Sequence, residues 1–229
     1  MIKHLAVIMD GNRRWATSRG LNTMLGHREG AKAVDHAINF CLNSGISYLS
    51  LYTFSLENFQ RSRTEKEYLF DLVVQELESK LDFFIEKEVR VRFVGDRNLF
   101  PAHVLPTCQR VEQATARFTK LSLNLLFCYG ARQEILEGVK RLVHKVTTGE
   151  LSEKDLTDQD FEECLWSAGV PEPDLIIRTG GRQRLSNFLL YQAAYSEVCF
   201  LDCLWPDMTV EHFQAVLNNF ENQTRSFGI

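Results

Sequence analysis

The feature that most constrains this chain is a regular exchange between apolar, β-rich runs and segments of helical period. Runs at 4–9, 48–54, 89–94, 121–128, 174–178 and 197–201 read as strands, several so continuously apolar that both faces must be buried. Between them, Leu69, Val73, Leu77, Leu81 and Ile85 recur every fourth residue behind a Thr64/Glu67 capping box, which predicts a long amphipathic helix. Ile135, Leu136, Val139, Leu142, Val143 and Val146 form a second helical face with Gly149 as its stop, and a third helix runs from about Arg28 to Asn43 and ends at Gly45. Alternation of this kind implies right-handed crossovers and a mainly parallel central sheet of about six strands flanked by helices. No linker, repeat or low-complexity stretch interrupts the 229 residues, so the expectation is a single α/β domain over 1–229. A chain of this length buries about 70% of its unfolded surface, enough for a full core and an interior cavity.

An open parallel sheet binds ligands beyond the carboxyl ends of its strands, which selects three loops. Asp10-Gly11-Asn12-Arg13-Arg14-Trp15 follows the first strand: Gly11 permits close backbone approach, Asp10 suits a magnesium ion, and the arginines favour an anion. Ser55-Leu56-Glu57-Asn58-Phe59-Gln60-Arg61 follows the second and, alone, is an ordinary polar loop. Arg178-Thr179-Gly180-Gly181-Arg182-Gln183-Arg184-Leu185-Ser186-Asn187 sets paired glycines among three arginines ahead of an expected helix, a composition suited to a phosphate cradle. His27, expected at a helix start, is either a further anion donor or a capping residue. One phosphate needs fewer cations than these loops supply, so two polyphosphate groups, or one large one, with Mg²⁺ are expected. Neither G-x-x-x-x-G-K-[ST] nor G-x-G-x-x-G occurs, which argues against a nucleotide.

Net charge of −4 argues against a general nucleic-acid binder, yet the charge is unevenly placed. Acids crowd residues 150–174, read as a solvated helix face, while Arg178, Arg182 and Arg184 follow without one. Six cysteines without a C-x-x-C pair read as buried free thiols of a reducing compartment. Without an apolar signal segment or a run of about 20 apolar residues, a cytoplasmic protein is expected.

His4-Leu5-Ala6-Val7-Ile8-Met9-Asp10-Gly11-Asn12-Arg13-Arg14-Trp15-Ala16, Gly26-His27, Phe54-Ser55-Leu56-Glu57-Asn58-Phe59, Arg178-Thr179-Gly180-Gly181, Arg184-Leu185-Ser186-Asn187-Phe188 and Leu204-Trp205-Pro206-Asp207 together resemble the cis-prenyltransferases, notably the bacterial undecaprenyl diphosphate synthases. The resemblance spans essentially the whole chain, with the motifs in the family's order. It implies a homodimer that adds isopentenyl diphosphate to farnesyl diphosphate with Mg²⁺, forming a long cis-polyprenyl diphosphate, the carrier lipid of cell-wall synthesis. It also implies a cytoplasmic enzyme with peripheral contact at the inner face of the membrane for product release.

Carried over by position, Asp10 is the catalytic aspartate and a metal ligand, with Glu197 a second. Gly11, Asn12, Arg13, Arg14 and Trp15, helped by His27 and Arg61, hold the allylic diphosphate. Ser55, Leu56, Glu57 and Phe59 lie near the substrates, and Arg178, Arg184, Leu185 and Ser186 hold isopentenyl diphosphate. Asn58 is the family's residue for proton removal, but a neutral amide has almost no basicity, so orientation suits it, with a phosphate oxygen or water taking the proton. A long hydrocarbon product needs an apolar tunnel, whose expected walls are Leu69 to Ile85 and Leu121 to Phe127, with Thr53 and Leu121 bearing on product length.

Three positions depart from the pattern: Thr23 replaces a common Arg, Arg182 a common Glu, and Gln183 a His that binds metal in some members. Glu197 opens an expected parallel strand, and hence the edge opposite Asp10: either it acts outside the main site or the strand begins elsewhere. Competing readings are weaker. A non-catalytic subunit of this fold would lack much of the first motif, which is complete here. An aspartyl phosphotransferase needs a D-x-D that Asn12 breaks, and the D-D-x-x-D motif of trans-prenyltransferases does not occur.

Overall fold

The computed structural model describes residues 2–222; Met1 and 223–229, the ends of the expected 1–229 domain, lie outside the described residues. Its strands are β1 (His4–Ile8), β2 (Tyr48–Ser55), β3 (Val89–Val94), β4 (Leu121–Tyr129), β5 (Leu175–Arg178) and β6 (Glu197–Phe200). They form one sheet in the order β3-β4-β2-β1-β5-β6, with every pair parallel. Each expected strand is therefore present, within a residue or so at its ends.

The helices are α1 (Asn12–Thr17), α2 (Thr23–Ser44), α3 (Arg63–Glu86), α4 (Leu105–Thr115), α5 (Ala131–Thr147), α6 (Asp158–Glu162) and α7 (Val210–Glu221). The central strands are largely buried on both sides because their side chains alternate between two apolar layers, while the edge strands β3 and β6 are partly exposed. Leu5, Val7, Leu49, Leu51, Leu123 and Ile177 enter the larger core, beneath α2, α3, α4 and α7. Ala6, Ile8, Leu126 and Ile176 enter the smaller one with Phe188 and Leu189.

Local chemistry sets the helix ends. Ser62, not Thr64, caps α3: its hydroxyl accepts from the Glu65 amide at 3.3 Å, which starts the helix early enough to put Glu65 in the first turn. Asn22 caps α2 through the Met24 amide, so His27 lies inside α2 rather than at its start. Gly45 ends α2 at φ 70° as expected. The stretch 181–196 forms turns, so no helix follows the third loop. The acidic segment is exposed but mostly irregular rather than one helix face. Four of the six cysteines are buried and all are free; burial pushes the Cys108 and Cys128 thiols up to about 12.

At the amino edge of the sheet a buried polar group is fully partnered. His4 Nδ1 lies 2.7 Å from the Pro171 carbonyl, so in the neutral ring it carries the proton, leaving Nε2 to accept from Ser50 Oγ at 2.8 Å. Burial pulls the His4 pKa down to about 4, against 6.5 for an exposed ring. Between those values the unfolded chain binds a proton that the folded chain refuses. The stabilisation is therefore complete above pH 6.5 and is lost as pH falls through 4, amounting to about 3 kcal/mol. Urea unfolding should show this as a drop in midpoint between pH 7.5 and pH 4.5 that is smaller in His4→Gln; equal drops in both proteins would exclude the assignment.

Candidate active site

β1 and β5 end side by side, with Ile8 and Arg178 as register partners, at the point where the strand order changes direction. Asp10 and Arg178 meet there. Arg178 Nη2 donates to Asp10 Oδ2 at 2.9 Å and Arg14 Nη2 to Oδ1 at 3.2 Å. Thr179 locks the loop beneath: its hydroxyl donates to the Asp10 carbonyl at 2.6 Å and accepts from the Asp10 amide at 3.0 Å. Arg178 is 5% exposed at its side chain and Asp10 28%, so the carboxylate is the more accessible member.

The first loop is held by an unusually close helix contact. Gly11 adopts φ 119°, open to glycine and packed on Leu204. A Cβ on Gly26 would lie 1.9 Å from the Asn12 carbonyl, so only glycine lets α2 approach α1 this closely. The contact buries Asn12 Oδ1 and His27 Nε2, both without a hydrogen-bond partner, at the edge of the cleft described below. His27 Nε2 is 3.6 Å from Glu65 Oε1, and burial, reinforced by the Arg61 charge, pulls its pKa down to about 4. Its ring is neutral at pH 7.

In the second loop, residues Leu56–Gln60 form a 3₁₀ turn after β2. Asn58 Oδ1 accepts from the Ser55 amide at 3.1 Å, so this amide group is used to fix the turn. Glu57 Oε1 accepts from Asn187 Nδ2 at 2.9 Å, tying the second loop to the third. Arg61 Nη1 donates to Glu65 Oε1 at 3.1 Å, and Arg13 Nε lies 3.8 Å from the same oxygen. Glu65 thus gathers Arg13, Arg61 and His27.

The third loop wraps Arg178. Its Nη1 donates to the Arg184 carbonyl at 2.5 Å and to Ser186 Oγ at 2.7 Å, while Arg184 Nε reaches the same hydroxyl at 3.1 Å. Ser186 and Asn187 take positive φ values of 51° and 64°, which costs energy outside glycine and is held by the Asn187 side chain on Glu57, Gln133 and the Arg132 amide. Arg178 Nε is buried with no partner.

These residues line two clefts and the edge of a cavity, which adjoin through shared lining residues. A cleft of about 940 Å³ contains Asp10, Ser55, Glu57, Asn58, Arg61, Arg178, Arg184, Leu185 and Ser186. A second, of about 430 Å³, contains Asp10, Gly11, Asn12, Arg13, Arg14, His27 and Arg61. Asp10 and Arg61 belong to both. The second cleft shares Met9, Asn12 and His27 with an apolar cavity of about 140 Å³ between α2, α3 and the sheet, walled by Leu69, Val73, Leu77, Phe84, Leu123 and Leu125. Thr53 lines it as expected; Leu121 and Phe127 are core residues outside it.

Four of the expected site residues lie outside these spaces. Trp15 donates its Nε1 to Asp207 at 2.7 Å and stacks under Arg19, which turns it from the cleft. Phe59 packs on Phe54 with ring centres 5.1 Å apart, and Leu56 packs against the same core. Glu197 pairs with Leu175 at the start of β6, at the edge opposite Asp10; the strand begins where expected, so these two carboxylates do not form one metal site within a chain. Among the described residues no cluster of three or more His, Cys, Asp or Glu is arranged to hold a metal. Thr23 lines the second cleft, whereas Arg182 and Gln183 line none of the three spaces. Glu65, Arg132 and Gln133 belong to the site but stand outside the sequence motifs, since Glu65 meets Arg13 and His27 and the other two meet Asn187 only in the folded chain; Thr179 lies within the third motif, which does not by itself show that it clamps Asp10.

The comparisons with known proteins agree with this architecture. Residues 8–228 match the prenyltransferase family described as "Putative undecaprenyl diphosphate synthase". The isoprenyl transferase of Thermotoga maritima is 42% identical, covering 99% of this chain and 96% of that protein. The ditrans,polycis-undecaprenyl-diphosphate synthase of Escherichia coli, named as specific for (2E,6E)-farnesyl diphosphate, is 40% identical over 99% of this chain and 89% of its own. The crystal structure of lavandulyl diphosphate synthase from Lavandula x intermedia, in complex with dimethylallyl diphosphate, superposes with a TM-score of 0.96 at 30% identity, covering 100% of this chain and 98% of that one. A full-length family match, relatives at this identity and two basic clefts on one sheet edge place the chain in the cis-prenyltransferase family of undecaprenyl diphosphate synthases.

Proposed function

We propose that this chain condenses isopentenyl diphosphate units onto an allylic diphosphate, farnesyl diphosphate, to give undecaprenyl diphosphate, the lipid carrier for cell-wall synthesis. One observation carries the assignment of substrates to clefts: the Arg13/Arg14/His27 cleft shares Met9, Asn12 and His27 with the apolar cavity, whereas the Arg178 cleft shares Met9 alone. An allylic substrate must store its hydrocarbon, so it belongs there. The short isopentenyl chain needs no such store and fits the Arg178/Arg184/Ser186 cleft.

The shared position of Asp10 suits Mg²⁺, which is commonly held by one or two carboxylates with phosphate oxygens and water completing its shell. Asp10 would supply the protein ligand, and the bound ion would neutralise charge on the departing diphosphate. Arg13, Arg14 and Arg61 favour the same charge as it grows, which stabilises the transition state more than the ground state. The isopentenyl double bond attacks the allylic carbon as the carbon–oxygen bond breaks, and a proton then leaves the isopentenyl unit. Asn58, held on the Ser55 amide, orients the reactants; the proton passes to a diphosphate oxygen or to water.

Leu136, Val139 and Val143 form an apolar stripe along α5, 56%, 43% and 55% exposed, where the sequence pattern leads one to expect core. That stripe supports a homodimer. Among the described residues no helix is long and apolar enough to cross a membrane, and product release by peripheral contact with the inner face of the membrane, from the cytoplasm, is part of this reading. The test is incorporation of labelled isopentenyl diphosphate into butanol-extractable lipid with farnesyl diphosphate and Mg²⁺. Long polyprenyl product that disappears with chelator is expected; no product with any allylic starter would overturn the assignment.

A further inference from the structure

Four arginines line the larger cleft: Arg61, Arg132, Arg178 and Arg184. Two of them have spent their charge within the protein, Arg178 on Asp10 at 2.9 Å and Arg61 on Glu65 at 3.1 Å. Among the described residues, Arg132 and Arg184 form no ion pair. The two carboxylates of the cleft are also engaged, Asp10 with Arg14 and Arg178 and Glu57 with Asn187 Nδ2. A diphosphate entering this space brings several negative charges, of which one unpaired guanidinium on Arg184 offsets only part. Arg132 supplies the second.

Arg132 is exposed, but its backbone is fastened to the third loop. Its amide donates to Asn187 Oδ1 at 2.9 Å, and the Ala131 amide donates to the Asn187 carbonyl at 2.9 Å. Asn187 Nδ2 in turn donates to Gln133 Oε1 at 3.1 Å. Gly130 makes this approach possible, since a Cβ there would lie 2.5 Å from Gln133 Oε1 and 2.7 Å from Asn187 Nδ2. The first turn of α5 and the segment from Arg184 to Asn187 therefore form one frame, and Arg132 shares the cleft wall with Arg184 and Ser186.

From this arrangement we infer that Arg132 is a further residue binding isopentenyl diphosphate, at the exposed side of the Arg178/Arg184/Ser186 cleft. The inference rests on the prenyl-transfer reading above. The diphosphate of the isopentenyl unit is not the leaving group, so its charge is the same in the ground and transition states. A side chain that only holds it contributes uniform binding, which sets KM and leaves kcat unchanged.

Arg132→Gln is expected to raise KM for isopentenyl diphosphate about tenfold, the worth of one charge-assisted hydrogen bond, with kcat and the KM for farnesyl diphosphate within a factor of about two. Titration calorimetry with isopentenyl diphosphate alone should show the same factor in Kd. Arg132→Lys restores the charge without the planar fork and should fall between Arg132→Gln and the wild-type protein. Arg90→Gln, at an exposed position at the start of β3 and outside the clefts, removes the same charge and leaves both KM values unchanged. Wild-type KM and Kd for isopentenyl diphosphate in Arg132→Gln overturn the inference. A parallel rise of both KM values, or a fall in kcat alone, overturns it too, because either marks a structural role. If the wild-type protein transfers no prenyl group, the proposed function fails, while the Kd comparison still decides the Arg132 contact.

Discussion

Asp10→Asn is expected to lower prenyl transfer by about a thousandfold or more while the protein stays folded. The carboxylate is the one acidic group common to both basic clefts, and Arg14 and Arg178 each donate to it. Asparagine keeps an acceptor for Arg178 and so avoids stranding a buried guanidinium, whereas Asp10→Ala removes that partner and adds a folding penalty. The informative comparison is therefore turnover in Asp10→Asn against the melting temperatures of both variants. Wild-type turnover in Asp10→Asn would exclude the carboxylate from the chemistry.

Arg178→Lys should raise KM for isopentenyl diphosphate about a hundredfold, with a much smaller effect on the allylic substrate, although it preserves charge. One guanidinium bridges Asp10, the Arg184 carbonyl and Ser186 while leaving Nε buried and unpaired. A lysine ammonium concentrates its donors on one atom and cannot span those positions. Losing one or two charge-assisted hydrogen bonds at about 1.5–3 kcal/mol each accounts for that factor. Steady-state kinetics varying each substrate separately distinguishes this from general loosening, which would raise both KM values together.

The strands were legible because each is a short β-rich run, the central ones largely buried on both faces, although β3 alternates arginines with buried residues and β6 is only partly buried: Val89–Val94 matches its expected limits, and β1, β2, β4, β5 and β6 differ by about a residue at one end. Short or polar helices were not. α1 has one buried residue, and α4 is a short, largely polar helix, so neither offers a long apolar period. α5 was expected to bury an apolar face, but Leu136, Val139 and Val143 point outward; periodicity identifies an apolar stripe without saying what covers it. The site divides in the same way. Asp10, Arg13, Arg178 and Ser186 lie in compact motifs and line clefts, whereas Glu65 became visible only when folding put it beside Arg13, His27 and Arg61. Trp15 shows the converse, since its motif position suggested a ligand contact while tertiary structure gave its indole to Asp207.

The shared wall between the two clefts has a thermodynamic consequence. An anion that draws Arg178 toward itself weakens the hold on Asp10, and a ligand that engages Asp10 from the other cleft weakens the hold on Arg178. Occupancy on one side must then change affinity on the other, and linkage requires the factor to be the same in both directions. A single carboxylate–guanidinium pair at the junction of β1 and β5 thus makes the two binding events interdependent without any large movement of the fold.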